Sequence, residues 1–233
     1  MLLPAGAAPE ARLLLIGRAL RAFTDGFVAI LLPVYLLTLG LGKWEVGLIS
    51  SATLLGSALA TLAVGQWGHR FRQRSLLLAA AGLMTATGLL LAGLGGIGAF
   101  WPLAVVAFVG TMNPSSGDVS VFMPLEQARL ANTADGESRT VLFSYYTVTG
   151  SLCAAIGALA SGLPVWFSSA SGVVLLDAMR LMFAGYGGIG AMVWFLGQGK
   201  TIEEACRFGA AAGAGAVAVF TTLRTPVNGV PQV

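Results

Sequence analysis

The side chains in this sequence that can do chemistry are the few ionisable and amide groups set inside or beside long apolar runs. Asp25 follows Arg21 by four residues and Arg18 by seven, a spacing that places all three on one helical face. The group reads either as a proton or substrate site at the mouth of a cavity, or as a neutralised cluster whose arginines snorkel to the membrane surface. Asp118 comes shortly after Asn113-Pro114, with no basic residue within one helical turn in the sequence. A carboxylate held there at membrane depth can take up and release a proton, as proton-coupled transport requires. In the other reading the helix ends near Met112 and Asp118 stands in water. Glu126 and Arg129, three apart, read as an interfacial pair. Asp177 and Arg180, also one turn apart, read as a structural pair or as a gate near the non-cytoplasmic end. Tyr145 and Tyr146 read as aromatic-belt residues.

A second cluster is basic. Gly65-Gln66-Trp67-Gly68-His69-Arg70-Phe71-Arg72-Gln73-Arg74 places three arginines and the only histidine between two apolar runs. Each arginine in hydrocarbon would cost about 2.5–3.5 kcal/mol, so this stretch is a short loop between membrane helices. His69 among arginines reads as a solvated residue. Cys153 and Cys206 have neither metal nor redox spacing, and no nucleophile, base and oxyanion donor fall into a recognisable pattern. Catalysis, a bound metal and a cofactor are therefore not expected.

The composition decides what positions these groups. Of 233 residues, 56% are hydrophobic and only 10% charged, against about 25% charged in a soluble domain. Mean hydropathy is +0.83. Charge-free runs approaching the length of about 20 residues that crosses a bilayer as helix recur along the chain, and alternating strands of barrel type do not. An all-α polytopic membrane protein follows. The spans are expected near 17–41, 46–65, 76–94, 101–126, 141–163 and 173–196, six in all, with an uncharged turn at Pro164–Ser171. The second is rich in Gly, Ala, Ser and Thr, as a closely packed helix is. Pro114 and Pro124 interrupt the fourth and invite a break, which survives at membrane depth only against protein or a cavity. Residues 1–199 form the transmembrane domain. Residues 200–233 are an Ala/Gly-rich tail opened by a capping box, Thr201 with Glu204, and read as a cytoplasmic helix or partly disordered segment.

Six alternating spans put Arg12, Arg18, Arg21, the arginine loop, Arg129, Arg139, Lys200, Arg207 and Arg224 on one side, with Lys43 opposite. That asymmetry places both termini in the cytoplasm. The net charge of +3 is thus spread over helix ends, and no nucleic-acid partner is expected.

The arginine loop resembles the signature between the second and third helices of the major facilitator superfamily, Gly-x-x-x-Asp-Arg-x-Gly-Arg-Arg/Lys-x-x-Leu. Gly65, Arg70, Arg74 and Leu77 match; His69 replaces the Asp and Arg72 the second Gly. Asp25-Gly26 in the first span, the Arg139 loop, and Gly150, Gly157 and Gly162 in the fifth extend the similarity over residues 12–197. The resemblance implies one six-helix half of a two-half transporter, alternating access around a central site, and a gating role for the loop that His69 puts in question. Lys200 to Val219 resembles the closing helices of ribokinase-like sugar kinases. Their Gly-Ala-Gly-Asp catalytic motif is absent, so this similarity implies no kinase activity.

The function expected from these readings is secondary transport of a small molecule, driven by an ion gradient, in a plasma membrane such as a bacterial inner membrane. The partners would be the lipid bilayer, the substrate, and a second six-helix half or a second copy. The competing expectation is a non-transporting membrane scaffold or gene fragment whose charged pairs are structural.

Overall fold

In the computed structural model, residues 9–94, 100–110, 122–131 and 137–224 are described. All regular structure among them is helical: α1 (Pro9–Thr38), α2 (Lys43–Trp67), α3 (Gln73–Leu94), α4 (Phe100–Val109), α5 (Phe122–Ala131), α6 (Glu137–Ala160), α7 (Leu163–Ser171), α8 (Leu175–Gly197) and α9 (Ile202–Arg224), with a single 3-10 turn at Gly68–Arg70. Stop and start signals are local. Gly40 takes φ +87° after α1 and Gly199 φ +83° after α8, conformations that only glycine adopts without strain. The N–H of Gly42 donates to Glu45 Oε2 at 2.7 Å, closing the start of α2.

Among the described residues, five helical stretches are long and apolar enough to cross a membrane: 11–38, 43–70, 73–93, 138–171 and 175–197. The described parts of the expected fourth span are α4 and α5, of 10 residues each. At 1.5 Å per residue each is about 15 Å long, half of the roughly 30 Å hydrocarbon core. Residues 111–121 between them, with Asn113 and Asp118, lie outside the described residues. The expected turn at Pro164–Ser171 is instead the helix α7, which Pro164 opens; proline is well placed in a first turn because its missing N–H would have had no helical partner.

The main core gathers around α1, whose Phe27, Leu31, Leu32 and Tyr35 pack against Met84 and Leu91 of α3 and Met179 and Phe183 of α8. The Tyr35 hydroxyl, fully buried, donates to the Leu91 carbonyl at 2.7 Å. A smaller cluster joins Ala11 and Leu15 of α1 to Leu130 of α5 and to Leu142 and Tyr146 of α6.

Helix pairs are joined where glycine brings backbones together. A Cβ at Gly26 of α1 would fall 2.0 Å from the Ala154 carbonyl oxygen of α6, and one at Gly157 of α6 would fall 1.9 Å from that of Phe23. In a bilayer, where lipid is as apolar as leucine, such close van der Waals contact is what holds helices together. The outward faces are apolar: Leu62 of α2, and Leu152 and Leu159 of α6, are 62%, 61% and 82% exposed. A surface of that kind belongs against lipid or protein and not water.

Residues 202–224, assigned by sequence to a separate tail, form α9 and pack along α8 and α3. Its start is the expected capping box: Thr201 Oγ1 accepts from the Glu204 N–H at 3.2 Å, and Glu204 Oε2 accepts from the Thr201 N–H at 3.2 Å. Thr201→Ala is expected to weaken the helix start by about 1 kcal/mol, measured as faster amide exchange over 202–206 with the rest of the bundle unchanged.

Candidate functional site

At the arginine-loop end of the bundle, three helices bring charged and aromatic groups together in the interior. From α1 come Arg18 and Arg21, one turn apart, with 4% and 2% of their surface exposed. The short α5 supplies Phe122 and Glu126 four residues apart, which sets them on one face. Tyr146 and Gly150, also four apart, come from α6.

The Arg21 guanidinium donates through Nη2 to Glu126 Oε2, forming an ion pair buried on both sides. The Tyr146 hydroxyl donates to the same oxygen at 2.8 Å. Both cations lie over aromatic faces, Arg21 Cζ 4.0 Å from the Phe122 ring centre and Arg18 Cζ 4.8 Å from that of Tyr146. Gly150 makes the room: a Cβ there would fall 2.5 Å from Arg18 Nε and Nη2. Thr24 donates to the Arg21 carbonyl at 2.7 Å. Removing two charges from water is expensive, so the pair persists because both partners are present and hydrogen-bonded. Tyr146→Phe removes one donor from the carboxylate and is expected to lower stability by about 1–3 kcal/mol, read as a lower thermal midpoint in detergent at unchanged helix content.

Beside the pair is a cavity of about 280 Å³, bordered by α1, α3, α5 and α8. Gly17, Leu77 and Val193 give it apolar walls, while Arg74, Glu126 and Arg129 give it charge. It falls just under the 300–1,000 Å³ or so of common ligand pockets, enough for a small organic molecule. Arg74 Nε donates to the Gly197 carbonyl at 3.0 Å, binding the arginine loop to the last turn of α8, where a cation also complements the helix dipole.

The sequence reading put Arg21 with Asp25 and Glu126 with Arg129; the structure joins the two sets by pairing Arg21 with Glu126, 105 residues apart. Asp25 is half-buried on α1, one turn beyond Arg21. Arg129 borders the cavity. Arg180 Nη1 lies 3.1 Å from Asp177 Oδ1, the former buried and the latter nearly so. Of the loop motif, Arg74 reaches the site, whereas Gly65, His69 and Arg70 are exposed and a Cβ on Gly65 would meet open space. Asn113 and Asp118 are outside the described residues. Sequence reasoning passed over Tyr146 as a site member, and Phe122 with it. Their signal was Glu126, a carboxylate whose two oxygens can accept from more donors than Arg129 alone supplies. Among the described residues no group of three or more His, Cys, Asp or Glu could hold a metal.

An all-helical bundle with spans of membrane length, apolar outer faces and charges paired in its interior is an integral membrane protein. No protein-family model matches the sequence. Over 169 residues the chain is 24% identical to an uncharacterized membrane protein of Saccharomyces cerevisiae, the match taking in 72% of this chain and 37% of that protein. The chain thus spans little more than a third of the length of the relative it matches.

Proposed function

We propose that α1 to α8 form one six-span half of a secondary transporter of major-facilitator type, with α4 and α5 together making the fourth span. The observation that supports this best is Glu126, which holds α1 and α6 through Arg21 and Tyr146 while also lining the cavity. A proton or a cationic substrate group arriving from the cavity would compete for that carboxylate and loosen three helices at once. Coupling of occupancy to helix movement is what alternating access needs. Asp25, Asn113 and Asp118 are the proposed continuation of the proton or substrate path. In this reading the arginine-loop end faces the cytoplasm of a plasma membrane, and a second half or second copy completes the cavity.

A scaffold is the second reading, favoured by a specific observation: Arg21 with Glu126 is a buried pair and Arg180 with Asp177 a partly buried one, as structural charges are. Proteoliposomes separate the two. With an imposed proton gradient and a panel of lipophilic and polar small molecules, the wild type is expected to move a substrate that Asp118→Asn moves far more slowly. A folded wild type that moves nothing at any pH leaves the scaffold reading.

A further inference from the structure

Helix α9 lies against α8 in a regular antiparallel register. A Cβ at Gly209 would fall 2.6 Å from the Gly188 carbonyl oxygen, and one at Gly213 would fall 3.3 Å from that of Ala184. Four residues forward on α9 are thus four residues back on α8. Nearer the turn, the rings of Phe195 and Phe208 stack with centres 4.2 Å apart, and Cys206 Sγ lies 3.9 Å from Met192 Sδ. Further along, Ala216 and Val217 pack on the main core with Met179 and Phe183. Both helices have 23 residues, about 34 Å each, so continuing the register brings the end of α9 level with the start of α8.

A helix whose backbone touches a membrane-crossing helix along its length lies at the same depth. The charge pattern agrees. Lys200, Glu203, Glu204 and Arg207 are all in or before the first two turns, and they neutralise one another: Lys200 Nζ is 3.9 Å from Glu204 Oε1, and Arg207 Nη2 is 3.0 Å from Glu203 Oε1. From Phe208 to Leu223 there is no charge. The outward face carries Phe208 and Val219, 45% and 57% exposed. The charges of its first two turns keep α9 out of the five stretches that by length and composition could cross; its glycines and alanines permit the close approach to α8 that replaces hydrophobic drive in a bilayer.

We infer that α9 crosses the membrane as the second arm of a hairpin with α8, its Phe208 and Val219 face turned to lipid acyl chains. The end of α9 then emerges on the side opposite the arginine loop, in place of the cytoplasmic C-terminus that positive charges alone predict. The inference rests on α8 being a span and not on transport.

The test is side-specific labelling of the full chain in spheroplasts, with Cys153 and Cys206 replaced by alanine and one cysteine introduced at a time. A membrane-impermeant maleimide is expected to label Gln232→Cys in intact spheroplasts and Gln73→Cys only after permeabilisation. Ala214→Cys, on the exposed face of α9, is expected to be unreactive in both conditions because it faces lipid. Labelling of 73 and 232 from the same side, or ready reaction at 214, overturns the inference. Fusions of alkaline phosphatase and of green fluorescent protein after residue 233 of the otherwise unaltered chain give the same answer without cysteine replacement: phosphatase activity without fluorescence is expected, and the reverse refutes it.

Discussion

Glu126→Ala is expected to be the most damaging single substitution in this bundle. It leaves Arg21, 2% exposed, without the carboxylate it donates to, and breaking a buried pair from one side costs about 3–5 kcal/mol. The Tyr146 hydroxyl loses its acceptor in the same change. The measurement is thermal unfolding in mild detergent followed by size-exclusion chromatography, with loss of the monodisperse peak well below the wild-type midpoint. Two controls give the result its meaning. Glu203→Ala, whose pair with Arg207 is 77% exposed on both sides, should shift stability by no more than about 0.5 kcal/mol. Replacing both partners, Arg21→Met with Glu126→Leu, should recover much of the loss, because similar-sized apolar side chains can substitute for a buried pair. A Glu126→Ala protein as stable as wild type would mean that the carboxylate does not hold α1, α5 and α6 together.

Gly157→Leu comes next. Even the first carbon of a side chain at this position falls 1.9 Å from the Phe23 carbonyl oxygen, and a backbone oxygen inside a helix cannot swing aside as a side chain can. The α1 and α6 axes must separate, which also opens the seam at Gly26 and draws Tyr146 away from Glu126. Overpacking costs about 1–3 kcal/mol in ordinary cores, and here a whole helix pair moves, so the upper end is expected. Gly65→Ala makes the contrast: its Cβ meets open space, and exchanging glycine for alanine within α2 should stabilise by up to about 1 kcal/mol. Melting the two variants side by side tests the sign of each. Equal midpoints would show that the α1–α6 approach is looser than the glycine geometry implies.

The site residues divide by the length of chain between them. Asp177 with Arg180, and Thr201 with Glu204, were legible because three residues along a helix is a fixed spatial offset. The partner of Glu126 was not. Arg129 was near in sequence, while Arg21 and Tyr146 are brought to it only by the crossing of α1, α5 and α6, and nothing periodic in one segment encodes that crossing. The arginine loop was readable as a loop, yet its contact with Gly197 depends on where α8 ends.

The sequence alone determined that this chain is helical and belongs in a membrane, because the transfer of apolar and charged side chains into hydrocarbon is nearly additive along a segment and needs no knowledge of neighbours. A few helix boundaries, at Gly40, Gly42 and Thr201, followed from glycine and capping signals that act over a single turn. Tertiary structure alone decided which carboxylate meets which arginine, where a cavity opens, and that the Ala/Gly-rich α9 lies along α8. Pairing energy depends on distance and burial, and close approach depends on two surfaces fitting together, quantities that exist only once separate helices are in contact.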